Sequence, residues 1–278
     1  IVTNGVLAGK PLTDLLTEYG VDLVGRNNAW ALERDKFPLL IKLLDANRPL
    51  SVQVHPKDDY ALEREGNELG KTEMWVILHA EPDAKVIMGV KAGTTPENFR
   101  QAIADGKLEK YLHSIPVKTG DHIDVPAGTL HAIMDGVIIA EIQQNSNTTY
   151  RVYDWNRVDA GGNPRALHVD KAMDVINFDQ VEPTLRDPKL LANENGVRRS
   201  ELVSNRYFTT ERVEMRAGST YRGECNGDTL EIWGLLFGSV TIIGMDVEAI
   251  QFVLFPAVLG KFIVQAKSDA VLLRTYVT

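Results

Sequence analysis

Residues 50–75 constrain what this chain can be more than any other stretch. They read Leu50-Ser51-Val52-Gln53-Val54-His55-Pro56, then a polar insert, then Gly70-Lys71-Thr72-Glu73-Met74-Trp75. The first part alternates in the manner of a strand with two unlike faces. Ser51, Gln53 and His55 fall on one face, Val52 and Val54 on the other. The polar face carries two possible ligand groups, which points it at a site. Lys71 and Glu73 repeat the pattern, and Val76-Ile77-Leu78 carries the run on as a strand. A Gln, a His and a Glu converging from neighbouring strands need one more ligand to close a divalent-metal site. His131 supplies it downstream.

A chain of 278 residues can bury one large core or two smaller ones. Its 44% hydrophobic and 24% charged content is that of a globular protein. No apolar run is long enough to span a membrane. The net charge of −8, with no sustained basic tract, argues against nucleic acid. An anionic substrate would need a local basic pocket working against that global sign. The single cysteine, Cys225, fits a reducing, cytoplasmic compartment and reads as a small semi-buried residue. The chain starts at Ile1 without an initiator Met or a signal peptide, so native residues upstream of it are expected.

Along the chain, Leu12, Leu15, Leu16 and Tyr19 have helical spacing, with Pro11 suited to a first turn. Residues 37–44 are almost continuously apolar and predict a buried strand. Asn47-Arg48-Pro49 is turn chemistry that would join it in a hairpin to the Ser51–His55 strand. Residues 57–65 predict a short exposed helix. Strands follow at 71–80 and 85–90. Thr94-Thr95-Pro96-Glu97 is a capped helix start that opens a helical insert near 95–114. Gly120 to His131 reads as strand, tight turn, strand, and 137–143 and 149–153 as further strands. Thr149, Arg151 and Tyr153 would share a face. Residues 178–199 are rich in Pro, Asn and charge and read as a linker. Short strands with turn signals then run to the end, near 208–215, 230–237, 240–243, 252–255 and 270–276. The pattern argues for an all-β fold of barrels or sandwiches.

Gly120 to His131 fits the second cupin motif, Gly-x5-Pro-x-Gly-x2-His, at every fixed position. Asp135 stands where that motif goes on to Asn. The first motif's His-x-His is here Gln53-x-His55, with a longer gap before Glu73. That change, with Ser51 ahead and Lys71-x-Glu73 behind, resembles type I mannose-6-phosphate isomerases. Glu141-Ile142-Gln143-Gln144-Asn145-Ser146-Asn147-Thr148-Thr149-Tyr150-Arg151-Val152-Tyr153-Asp154-Trp155-Asn156-Arg157 resembles the signature of that family's short bacterial branch. The likeness covers residues 1–180 closely and the rest loosely. The family's Trp-Gly-Gly-bearing segment upstream is absent here. The resemblance implies two cupin β-barrels with a small helical insert in the first. Residues 1–180 would be the metal-binding catalytic domain. Residues 181–278 would be a degenerate, metal-free one. Gly238-Ser239-Val240 and Phe255-Pro256-Ala257 sit where a second cupin would turn. No His follows Asp170, so that domain would have a packing role.

His55, Glu73 and His131 offer two imidazoles and a carboxylate, a set that suits zinc and also manganese, cobalt or iron. Gln53 adds a weaker carbonyl donor. A lone His would more often be a buried hydrogen-bonding residue; this set has shared strand phase behind it. His79, His113, His122 and His168 lack such a setting and read as structural. Arg151 could hold a phosphate bidentately or stabilise an oxyanion, where an ordinary strand arginine makes a surface ion pair. Lys71 could reach a metal-held sugar or be a solvated strand-end lysine. Ser51 could donate to a phosphate oxygen or cap a turn. Glu141 could face the interior or be a surface carboxylate. The resemblance implies interconversion of mannose 6-phosphate and fructose 6-phosphate through an enediolate. Lys71, Arg151 and a metal-held water are the candidates for proton handling. A cupin oxygenase or decarboxylase would want the second His that Gln53 replaces. A non-catalytic sugar-binding cupin would tend to lose the ligands this chain keeps.

Overall fold

The computed structural model describes residues 1–158 and 160–278. The fold is mostly β, with four sheets, none closed on itself among the described residues. The chain divides into two units: Leu40–Arg186, and Ile1–Leu39 together with Asp187–Thr278. The sequence reading put the N-terminal segment in the first domain. It lies in the discontinuous unit because α1 (Leu12–Val24) buries Leu15, Leu16, Leu23 and Val24 around Leu230. Pro11 stands at the N-cap position, one residue ahead of the first turn that the sequence predicts for it, and the helix kinks at Gly20 (φ 48°) before α2 (Ala29–Glu33).

The central unit contains β1 (Leu39–Ala46), β2 (Val52–Val54), β3 (Glu73–Ala80), β4 (Lys85–Val90), β5 (Leu112–Pro116), β6 (His122–Val125), β7 (His131–Ile133), β8 (Val137–Gln144) and β9 (Tyr150–Tyr153). One sheet runs β1-β8-β3-β6 and the other β5-β4-β7-β2-β9. Their facing sides bury Trp75, Ile77, Ile123 and Ile139 of the first sheet with Val86, Met88 and Ile133 of the second. Three short helices complete the unit: α3 (Asp58–Arg64), α4 (Pro96–Ala104) and α5 (Val169–Val175). The start of α4 is as the sequence predicts: Thr95 accepts from the Asn98 amide while Asn98 caps Thr95 in return. Phe99 and Ala102 of α4 and Ala172 of α5 cover the outer face of the second sheet, over Val52, Val54 and Val152. Phe99 and each of these valines contribute about 1.5–3 kcal/mol by leaving water. The short β2 is therefore buried on both sides, which fixes where Gln53 and His55 point.

Three local expectations are corrected. β1 is an edge strand with Leu43 45% exposed, and is not buried throughout. It joins β8, while β2 pairs β7 and β9 in the other sheet, so the turn at Asn47-Arg48-Pro49 crosses between sheets and makes no hairpin. The predicted insert ends earlier than residue 114, because Leu112 already opens β5.

The discontinuous unit contains β10 (Lys189–Glu194), β11 (Val197–Ser204), β12 (Phe208–Met215), β13 (Thr220–Cys225), β14 (Glu231–Phe237), β15 (Ser239–Ile242), β16 (Met245–Glu248), β17 (Phe252–Phe255), β18 (Gly260–Ala266) and β19 (Ala270–Val277). Its sheets run β10-β11-β12-β19-β14-β17 and β13-β18-β15-β16. The expected linker at 178–199 instead holds β10 and the start of β11, paired antiparallel. β10 is exposed almost throughout, so it carries no apolar alternation. The overlooked signal was Asn195-Gly196, both at positive φ (52° and 78°), the hairpin turn such a dipeptide favours.

Candidate metal centre and active site

β2 and β7 bring Gln53 directly opposite His131. β9 puts Arg151 opposite Gln53 on the other side. Residues paired across a ladder point the same way, so Gln53, His131 and Arg151 share the inner face. From the facing sheet, Glu73 and Trp75 of β3 lie opposite Gln143 and Glu141 of β8. The geometry thus closes from both sheets. His55 Nε2 lies 3.2 Å from Glu73 Oε1, and His131 Nε2 lies 3.8 Å from Glu73 Oε2. The three side chains offer ligand atoms within 4.8 Å of one another and are all buried.

The histidines are set as ligands by their outer nitrogens. His55 Nδ1 donates to the Thr148 carbonyl at 2.9 Å, and His131 Nδ1 to the Thr129 carbonyl at 2.8 Å. That fixes the tautomer and turns both Nε2 lone pairs inward. Burial lowers the pKa of His55 and takes that of His131 to about 3, so both rings are neutral at physiological pH. Burial alone would raise the Glu73 carboxyl, but the positive charge that His55 carries when protonated, and that of Lys71, hold it well below the usual carboxylate range. His55 Nε2 and Glu73 Oε1 are buried and make no hydrogen bond among the described residues. Lys71 Nζ is 2.7 Å from that oxygen, a close ion pair. Trp75 Nε1 donates to the other oxygen at 3.1 Å and packs edge-on to the His131 ring. Two aimed imidazole nitrogens and an incompletely bonded buried carboxylate fit a divalent cation.

Of the remaining predicted residues, Gln53, Ser51 and Glu141 adjoin this centre, and Arg151 is linked to it by its pairing with Gln53. The Gln53 amide nitrogen lies 3.3 Å from His131 Nε2, and its oxygen 3.5 Å from the buried Ser51 hydroxyl. Turning that amide over would exchange the two atoms. Glu141 is buried. Burial, and next the charge of Glu73, raises its pKa against the pull of Lys71 and Lys42. Arg151 is half-buried; its Nη1 donates to the Ala166 carbonyl at 3.0 Å, and its Nε has no partner among the described residues. Tyr153 does not accompany it. A register shift sends Tyr153 opposite Val52, and its hydroxyl donates to Glu109 of the helical insert. His79 pairs with Glu81, and His113 meets the Pro183 carbonyl; both are outside the cluster. His168 lines a separate open cavity of about 440 Å³ with Tyr150 and Lys171.

A family model, phosphomannose isomerase type I, catalytic domain, matches residues 2–70. A probable mannose-6-phosphate isomerase, GmuF of Bacillus subtilis, is 37% identical over 275 residues, covering 96% of this chain and 82% of the relative. The chain belongs to the type I phosphomannose isomerase family. The mannose-6-phosphate isomerase of Streptococcus mutans is 46% identical over 209 residues, 75% of this chain. The match spans 63% of that relative, less than two thirds of its length. The crystal structure of the mannose 6-phosphate isomerase from Bacillus subtilis superposes with a TM-score of 0.84 at 32% identity, covering 99% of this chain and 84% of that one.

In this member of the phosphomannose isomerase family, several site residues were not singled out by sequence. Lys42 of β1 donates to Glu141 at 2.9 Å and to Gln143 at 2.6 Å. Its signal was a lone cation in an apolar run. Thr148, whose carbonyl holds His55, sits inside the stretch that resembles the family signature. Gln144 joins that stretch to the Lys71 strap. Its side chain accepts from the Thr72 amide at 2.8 Å and donates to Asp58 at 3.0 Å. Asp58 also accepts from the Gly70 amide at 2.9 Å.

Proposed function

We propose that the chain interconverts mannose 6-phosphate and fructose 6-phosphate, moving a proton between C1 and C2 through an enediolate. The observation that carries this is the convergence of His55, Glu73 and His131 with Lys71 hard against Glu73, in a chain of this family. His55, Glu73 and His131 would hold the ion, with Gln53 as a fourth donor. Zinc suits the donor set best; manganese, cobalt or iron also fit. When bound, a divalent ion supplies Lewis-acid polarisation of the sugar oxygens.

The chain's own residues do the rest. Arg151 keeps its charge at every accessible pH and makes a poor base. It stabilises the developing oxyanion or anchors the phosphate, supported by its place on the Gln53 face. Of Lys71 and a metal-held water, we assign Lys71 the transfer of the proton between the two carbons, because its Nζ stands 2.7 Å from Glu73. Ser51 donates to the substrate, and Glu141, aligned by Lys42, receives a sugar hydroxyl. The facing sheets of each unit read as flattened cupin-like barrels. The central unit is catalytic and the discontinuous one metal-free, with a packing role. We place the enzyme in the cytoplasm, acting on a small sugar phosphate without nucleic acid or membrane partners. No helix among the described residues is long and apolar enough to cross a membrane.

Mannose 6-phosphate turned over in deuterium oxide and followed by NMR tests the reading. Fructose 6-phosphate should form, with deuterium entering at C1. Lys71→Met should keep the metal and lose the turnover. A chain that makes no fructose 6-phosphate would refute the function, and a fully active Lys71→Met would refute the role of Lys71.

A further inference from the structure

Among the described residues, β12–β19 of the discontinuous unit repeat the order of β1–β8 of the central one. Taking β12 for β1, β13 for β2 and so on to β19 for β8, the order β1-β8-β3-β6 becomes β12-β19-β14-β17, and β2-β7-β4-β5 becomes β13-β18-β15-β16. The registers agree as well. Trp75 faces Glu141 and Glu73 faces Gln143; Trp233 faces Arg274 and Glu231 faces Tyr276. Glu73 also faces Val125 and Glu231 faces Phe255, and each of those partners precedes a Pro-Ala turn. Both units carry Glu-x-Trp with the indole donating to its own glutamate, at 3.1 Å and 2.8 Å. His131 meets Trp75 edge-on at 5.5 Å, and Phe262 meets Trp233 edge-on at 6.0 Å.

On this correspondence one candidate ligand is kept and the others are replaced. Gly223 faces Phe262 as Gln53 faces His131. Phe262 leaves no room for a larger residue there, since a Cβ on Gly223 would lie 2.3 Å from its ring. Cys225, two residues on, takes the place of His55. Glu231 takes the place of Glu73, and its partner is Arg274. Arg274 Nε donates to Glu231 Oε2 at 2.8 Å and Nη2 to Oε1, while Nη1 reaches Glu211 at 3.2 Å. Glu211 and Glu231 are 1% and 3% exposed.

We infer that Arg274 is the built-in cation for Glu231 of the discontinuous unit, supplying with one guanidinium the positive charge that Lys71 together with an ion would supply to Glu73 in the central unit. The inference rests on reading His55, Glu73 and His131 as a metal centre. Buried carboxylates need a cation, and a guanidinium fork meets that need at every pH without a metal. The two units thus solve one electrostatic problem in two ways: a fork fills the Glu231 site, while a single ammonium beside Glu73 leaves room for an ion.

Thermal unfolding and metal content of the full chain test this. Arg274→Met should lower the unfolding midpoint by about 10 °C and keep the single zinc equivalent. Adding Glu231→Gln to Arg274→Met should recover part of the loss, because the stranded carboxylate is gone. His55→Ala should lose the zinc. An Arg274→Met chain with the wild-type midpoint, or a double variant no better than the single one, would overturn the inference. So would a second zinc equivalent that disappears in Glu231→Gln. A wild-type chain without any zinc would instead overturn the reading of the central site.

Discussion

His131 shows how much the site depends on single atoms. Its Nδ1 proton is committed to the Thr129 carbonyl, and burial takes the ring pKa to about 3. In the unfolded chain the same imidazole titrates near pH 6.5. Between about pH 6.5 and 3 the unfolded state therefore binds a proton that the folded state does not. Stability from this group is complete above pH 6.5 and is lost as pH falls, by about 1.4 kcal/mol per unit. Urea unfolding of the metal-stripped chain should show that fall between pH 7 and 5, and His131→Gln should flatten it. An identical slope in that variant would contradict the assignment. Arg151 makes a second residue-scale prediction. Arg151→Lys keeps the charge and loses the fork. If the fork acts in the transition state, kcat and kcat/KM should both drop by about two orders of magnitude, with metal content and midpoint unchanged. A raised KM at constant kcat would make it a ground-state phosphate anchor. The positions of His55, Glu73 and His131 were legible because ligand spacing and strand phase agree. The phase of Tyr153 was not, since the register shift beside Val52 leaves no mark on composition.

At the scale of elements, the strap from Gly70 to Glu73 is held by hydrogen bonds that no motif records. Asp58, at the start of α3, accepts from the Gly70 amide and from Gln144, which accepts in turn from the Thr72 amide. The strap carries both Lys71 and Glu73, so its looseness should reach the metal. Asp58→Ala should weaken zinc binding by about 10- to 100-fold, read by competition with a chromophoric chelator. Wild-type affinity in that variant would show that the strap is fixed by other contacts. The α4 cap was readable from Thr95 and Pro96 because capping is local chemistry. Strand partners were less readable. β1 and β2 lie next to each other in sequence yet belong to different sheets. The hairpin of β10 and β11 was missed because an exposed edge strand has no apolar face to alternate.

For the whole molecule, metal and fold should be linked through one unit. Ligand present at 100 times its dissociation constant adds about 2.7 kcal/mol to the state that binds it. Chelation should therefore lower the stability of Leu40–Arg186 and leave that of the Arg274-centred unit unchanged, which hydrogen exchange of the two units can separate. Equal loss of protection in both units would contradict this. The repeated strand order was legible in part: the Phe255-Pro256-Ala257 turn and the run of short strands predict a second β-rich domain. Arg274 was not legible, because only the register of β14 against β19 brings it to Glu231. The central claim is a metal-dependent aldose–ketose isomerase. Its most direct test is the rate of fructose 6-phosphate formation from mannose 6-phosphate by the purified chain, before chelation, after it, and after zinc is returned. The account predicts activity that chelation abolishes and zinc restores. No turnover by the zinc-loaded chain, or an unchanged rate once the ion is gone, would contradict it.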